Sequence, residues 1–223
     1  GSELRLIPEG KFEMGDGKDD DCPKHRVYLD VYYIGKYAVT NAQYAKFVRE
    51  TGHRPPNNDF WNRPEKAKHP VTNVSWDDAT AYAKWSGCEL PTEAQWEKAA
   101  RGPKGYVYPW GNEWNVAKCR NRMNIGRGTT APVDAYSEGA SGYGTYQQAG
   151  NVWEWCSDWY DENYYNRPEA SRNPRGPSIG SDRVFRGGCW RDVDPSYCRG
   201  AFRNWIDPSD RYGILGFRLV RTP

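Results

Sequence analysis

The side chains able to carry chemistry in this 223-residue chain are six cysteines, Cys22, Cys88, Cys119, Cys156, Cys189 and Cys198, and three histidines, His25, His53 and His69. Thiolates are nucleophiles and soft-metal ligands, but a redox or metal site needs two of them within reach of each other, which a CxxC step would signal. No such step occurs. Cys189 and Cys198 are nine positions apart, so only an unusual backbone path would join them, and their plain reading is buried small hydrophobes or one structural disulfide. The histidines show no HxxxH or HxxE spacing. His53 follows a helix end and His69 precedes Pro70 in a loop, which fits solvated or capping roles better than ligation. No Gly-x-Ser-x-Gly elbow is present, so a Ser-His-Asp hydrolase is not supported.

These residues are placed by a chain that changes character halfway. Leu4–Ile7, residues 11–15 and residues 25–32 are expected strands, the last with Val27, Leu29 and Val31 on one face. Thr40 caps a helix over residues 41–50, in which Tyr44, Phe47 and Val48 share a face and which Gly52 closes. Ser75-Trp76-Asp77-Asp78 is a capping box opening a helix over residues 76–86, with Trp76, Ala79, Tyr82 and Ala83 inward. Thr92 and Gln95 start a third over Glu93–Arg101 that buries Trp96 and Ala100. Beyond Gly102 the helical signal fades into aromatic turns and short strands, among them residues 151–155, Arg183–Arg186 and residues 216–220.

Composition limits the partners. With 31 Lys and Arg against 29 Asp and Glu, no charge surplus makes nucleic acid or an anionic membrane an obligate partner. No apolar run reaches the roughly 18 residues of a spanning helix, so membrane insertion is not expected. Sixteen Tyr, 11 Trp and 6 Phe supply the apolar area for a core. No linker and no repeat of roughly 20 to 50 residues divides the chain, so residues 3–223 are expected as one domain and Gly1-Ser2 as an expression scar.

Several segments together resemble the formylglycine-generating enzyme (sulfatase-modifying factor) superfamily. They are Ile7-Pro8-Glu9-Gly10, Lys36-Tyr37-Ala38-Val39-Thr40-Asn41, Pro70-Val71-Thr72-Asn73-Val74-Ser75-Trp76, Leu90-Pro91-Thr92-Glu93-Ala94-Gln95-Trp96-Glu97, Tyr108-Pro109-Trp110-Gly111, Gly150-Asn151-Val152-Trp153-Glu154-Trp155, Arg186-Gly187-Gly188-Cys189-Trp190 and Gly216-Phe217-Arg218. The resemblance spans nearly the whole chain. It implies an α+β fold, a single irregular C-type-lectin-like domain with few helices in the N-terminal half, short strands and long loops. In the oxidases of the superfamily it also implies a copper-binding CxxxxC pair after a Gly-Gly-Ser segment. Here Cys198 matches the second thiol, Asp192 or a neighbour takes the place of the first, and Cys189 stands where Ser is usual. Copper is therefore not expected, and no catalytic residue is assigned. A calcium ion is implied at the Gly-Asn-Val-Trp-Glu loop, with Glu154 as the carboxylate and Gly150 and Val152 as carbonyl donors, although Gln147 replaces a usual Asn or Asp. The alternative for Glu154 is a bond to backbone in a turn under Trp153 and Trp155.

With the thiol pair unmatched, the expected function is a non-catalytic module that binds a protein or peptide ligand through the loops of residues 191–214. Trp190, Pro195, Cys198, Arg199, Arg203, Pro208 and Arg211 match the family frame. Between them, Arg191, Asp192, Val193, Ser196, Tyr197, Phe202, Trp205, Ile206, Asp207, Ser209, Asp210, Tyr212 and Ile214 are the candidate contacts, without amphipathic period and rich in the types that binding hot spots favour. For Phe202, Trp205 and Ile214 the core is the alternative. This layout also resembles the variable proteins of diversity-generating retroelements, which bind ligands on a C-type-lectin fold. Two further readings stand beside it, a copper-dependent formylglycine-generating oxidase acting on a peptide cysteine and a sensor domain of a signalling protein. Trp153, Trp155 and Trp190 are expected in the scaffold.

Overall fold

Each of the three helices starts at a reciprocal cap. In the computed structural model, which describes residues 2–126 and 128–223, α1 (Asn41–Thr51) begins where the Thr40 hydroxyl accepts from the Gln43 N–H and the Gln43 side chain accepts from the Thr40 N–H. Ser75 and Asp78 do the same for α2 (Trp76–Trp85), and Thr92 and Gln95 for α3 (Glu93–Arg101). Each box pairs two backbone N–H groups that the helix cannot satisfy itself. Gly52, at φ 71°, closes α1 with its N–H on the Val48 carbonyl. Tyr44 and Phe47 of α1 join Ala79, Tyr82 and Ala83 of α2 in the largest apolar cluster, with Trp153, Trp155, Phe217 and Leu219.

The strands form three small sheets. β1 (Leu4–Ile7) lies antiparallel to β4 (Tyr32–Gly35), which pairs with β9 (Val220–Arg221), while β2 (Gly10–Met14) and β3 (His25–Leu29) make a separate antiparallel ribbon. The third sheet runs β7 (Arg203–Ile206), β6 (Arg183–Arg186), β5 (Trp153–Trp159) and β8 (Leu215–Gly216), with β8 parallel to β5. Two expected strands are divided. Residues 25–32 break at Asp30, whose N–H donates to the Asn173 side chain at 2.9 Å, so the inward face passes from Val27 and Leu29 to Tyr32 and Ile34, and Val31 is not inward. Residues 216–220 split because Arg218, between β8 and β9, turns into the core. No helix among the described residues is long and apolar enough to cross a membrane.

β5 is buried on both faces from Trp153 to Cys156, so charges beside it need partners inside the protein. Glu93 and Glu97, one turn apart on the inward side of α3, are each 1 % exposed. Arg186 of β6 donates to both carboxylates. Arg203 of β7 grips Glu93 through Nε at 2.8 Å and Nη2 at 3.0 Å, Tyr165 donates to it at 2.8 Å, and Arg101 reaches Glu97 at 2.9 Å. Burial alone would raise the Glu93 carboxyl, but Arg203 and Arg186 hold it at about 2. A second buried pair joins Arg218 to Glu154, with Nη2 to Oε1 at 2.7 Å, and the Trp96 indole N–H donates to the same carboxylate at 2.7 Å.

Two measurements check this arrangement. Arg186→Met leaves Glu93 and Glu97 short of a buried partner and should cost about 3 to 5 kcal/mol in urea unfolding; a loss below about 1 kcal/mol would contradict the network. Asp158 of β5 is different, because burial and the nearby Glu93 charge push its carboxyl up to about 7. In an unfolded chain it ionises near 3.8, so between those values the folded state holds the extra proton and stability falls as pH rises through the window. Asp158→Asn should remove this slope, worth about 4 kcal/mol across it, and identical pH profiles for the two proteins would contradict it.

Candidate functional site

After β6 the chain passes through Gly187 and Gly188, at φ 105° and 73°, a region that side chains other than Gly rarely enter. A Cβ on Gly187 would lie 2.9 Å from the Trp96 ring, and one on Gly188 would lie 2.7 Å from the Cys198 sulfur. The glycine pair therefore threads the loop between the α3 tryptophan and the thiol. Asp192 braces the next turn: its Oδ2 accepts from the Cys189 N–H at 2.7 Å and its carbonyl accepts from the Arg122 N–H at 3.2 Å. Burial holds the Asp192 carboxyl above its ordinary value. Cys189 does not meet Cys198. Its sulfur accepts from the Arg191 N–H at 3.4 Å, and burial pushes its thiol up to about 12.

The thiol that does meet Cys198 is Cys119, 79 positions earlier, which none of the spacing arguments singled out. The two thiols interact directly, and that interaction together with burial pushes the Cys198 thiol well above its ordinary value. Asn121 Nδ2 also points at the Cys119 sulfur, at 3.5 Å. The pair is 1 % exposed. Cys198 packs with Tyr108 and Ala149, and Val107, Trp110 and Trp114 lie against them. A one-turn 3-10 helix, Pro195–Cys198, started by the Asp194 side chain, delivers Cys198 to this place. All six cysteines are free thiols, so no disulfide joins Cys189 to Cys198.

The carboxylate of the implied calcium site has protein partners of its own. Glu154 is fully buried and both of its oxygens already accept from Arg218, one of them also from Trp96. A cation there would have to displace the guanidinium. The Gly150 N–H is bonded to the Gly187 carbonyl at 2.7 Å, and Val152 is buried. Among the described residues no group of three or more His, Cys, Asp or Glu is placed to hold a metal. His53 is bonded to Asp78 at 2.8 Å, in place of a solvated or capping role. His69 meets the Thr130 hydroxyl at 2.8 Å, and burial lowers its pKa to about 4.

The candidate contact residues divide. Arg191, Val193, Tyr197, Trp205, Asp207, Ser209 and Tyr212 are exposed, and Asp192, Ser196, Phe202, Ile206, Asp210 and Ile214 are half-buried. Phe202, Ile206 and Ile214 pack against the main core, whereas Trp205 lies outside it, stacked on Tyr160 at 3.8 Å between centroids. Of the eight large apolar side chains exposed among the described residues, four, Val193, Tyr197, Trp205 and Tyr212, fall in these loops. Asp207 has a local task as well, accepting from the Ser209 N–H at 2.8 Å and hydroxyl at 2.6 Å. Trp153 and Trp155 are buried, but Trp190 is only half-buried. With Gly213 it lines a cleft of about 200 Å³ that also includes Asn41, Phe60, Trp61 and Lys66. A larger cleft of about 410 Å³ has Trp205, Tyr160 and Asp19 to Asp21 on its walls.

Kinship agrees with this geometry. The formylglycine-generating enzyme of Streptomyces coelicolor is 39 % identical to this chain, over 96 % of the chain and 87 % of that protein. Among solved structures, PvdO from Pseudomonas aeruginosa superposes with a TM-score of 0.85 at 26 % identity, covering 100 % of this chain and 95 % of the other. Treponema denticola variable protein 1 does so with a TM-score of 0.82 at 25 % identity, covering 99 % and 95 %. The expected C-type-lectin-like α+β fold is the observed one. Residues 2–223 match the sulfatase-modifying factor enzyme 1-like domain, and the chain belongs to that family.

Proposed function

We propose that this protein is a non-catalytic binding module that presents the loops of residues 191–214 to a protein or peptide ligand. The observation carrying the proposal is the division along these loops. Cys198, Arg199, Ala201, Arg203 and the run from Leu215 to Val220 are buried, while Arg191, Tyr197, Trp205 and Tyr212 face solvent. A backbone fixed by buried ion pairs leaves the exposed side chains free to serve contact instead of folding. Tyr and Trp give large contact area with little conformational entropy to lose. Likeness to a protein described as a variable protein supports a surface of this kind.

One observation favours a second reading, a copper-dependent formylglycine-generating oxidase. Cys119 and Cys198 bring two thiols together, as a soft metal requires, and a relative at 39 % identity carries that activity in its name. Against it, both thiols are buried, Cys198 against aromatic side chains, and Asp192, a hard oxygen ligand, is committed to bracing its own loop.

The two readings separate experimentally. Tyr197→Ala, Trp205→Ala and Tyr212→Ala should each melt within about 2 °C of wild type. The same changes should weaken peptides selected from a random display library by about 30-fold. Incubation with Cu(I), oxygen and a cysteine peptide should leave the peptide mass unchanged; conversion that disappears in Cys198→Ser would establish the oxidase instead. Brief alkylation of the native protein should mark Cys88, the one half-exposed thiol, and spare Cys119 and Cys198 until the chain is unfolded.

A further inference from the structure

We infer that the cleft beside Trp190 and Gly213 is a pocket for a tyrosine or tryptophan side chain of a peptide ligand, with Asn41 accepting its O–H or N–H. The inference rests on the binding-module reading and names the ligand group this part of the surface takes. The space, about 200 Å³, holds roughly six waters at liquid density, or one large side chain. Phe60, Trp61 and Trp190 wall it. Phe60 is 56 % exposed and carries the Arg63 guanidinium over its ring at 4.4 Å.

Asn41 gives the cleft its chemistry. The residue lines the space yet is only 6 % exposed. Its Nδ2 donates to the Lys66 carbonyl at 3.0 Å, which fixes the orientation of the amide, and its Oδ1 is left buried with no hydrogen-bond partner. A buried acceptor without a donor carries its full desolvation cost, and a ligand donor relieves it. Three other polar side chains at the rim each make a hydrogen bond of their own. Asn58 Oδ1 accepts from the Phe60 N–H at 2.9 Å, Asn73 Nδ2 donates to the Thr72 hydroxyl at 3.3 Å, and the Thr130 hydroxyl is bonded to His69.

One orphan acceptor among three aromatic walls selects for a ligand with a large apolar face and a single donor. A cationic side chain meets the Lys66 ammonium, which instead suits an aromatic ring. Oδ1 is closed to water, so entry requires a wall side chain to rotate, and Phe60 is the most exposed of the walls.

Titration with N-acetyl-tyrosinamide, N-acetyl-phenylalaninamide and methyl glucoside, followed through the indole N–H resonances of Trp61 and Trp190, tests the assignment. The tyrosine amide should shift both resonances and bind about 10-fold tighter than the phenylalanine amide, which lacks the donor. Asn41→Leu should erase that ratio. Because Asn41 also braces Lys66, Phe60→Ala serves as the second variant and should weaken the tyrosine amide while leaving the melting temperature in place. Equal affinity for the two amides, stronger binding of the glucoside, or no shift with any of them overturns the pocket. Display-selected peptides that depend on Trp205 and Tyr212 but ignore Phe60→Ala overturn the pocket alone, whereas peptides indifferent to all of these changes overturn the binding-module reading as well.

Discussion

Glu93 and Glu97 are almost wholly buried, on a helix that packs against the buried stretch of β5 and against β6, so their charges are tolerable only while Arg186, Arg203 and Arg101 surround them. Each of those arginines gives up its own hydration to be there, and any one of them removed leaves at least one carboxylate a partner short. The network thereby ties α3 to β6 and β7, the two strands from which the C-terminal loops depart. Arg218 on Glu154 performs the same service for the last segment of the chain. Hydrophobic contacts fill the space between these elements, but it is the ion pairs that fix their register, because a charge has far fewer acceptable positions in a core than a methyl group does.

From those fixed points the loop geometry follows. Gly187 and Gly188 let the chain pass between Trp96 and Cys198, Asp192 closes the next turn onto the Cys189 N–H, and Asp194 and Asp207 each start a turn through their side chains. The acids among the expected contacts are thus partly builders of the loops, while of the exposed aromatics Trp205 leans on Tyr160 and Tyr197 on Phe202 with one face, leaving the rest of each ring outward, as with Tyr212. A surface whose backbone is settled before any ligand arrives loses little entropy on binding, which is the physical advantage of a recognition site carried on such a frame.

The thiols show how a pair can form that no spacing announces. The neighbour of Cys198 comes from a loop before the β5 strand, while Asp192 braces its own turn on the Cys189 N–H. Packing Tyr108 and Ala149 over Cys198 turns the pair inward. Burial of this kind suits a structural contact, and it removes the exposed sulfur that nucleophilic thiol chemistry relies on.

What the sequence by itself determined was local. The three helix starts were legible because a capping box closes within three residues, and Thr40, Ser75 and Thr92 each carry the hydroxyl and the partner on the page. The family motifs, and with them the fold, were legible for the same reason. The tertiary structure alone decided everything that depends on distant segments meeting. Asn173 ends the strand at Asp30 from 143 residues away, Arg218 claims Glu154 from 64 away, Cys119 reaches Cys198 across 79 positions, and Trp190 comes out as the wall of a cleft instead of a core residue. A buried charge or thiol takes whichever partner the chain path brings to it, and that path is set by the packing of the whole molecule, which no spacing along the chain encodes.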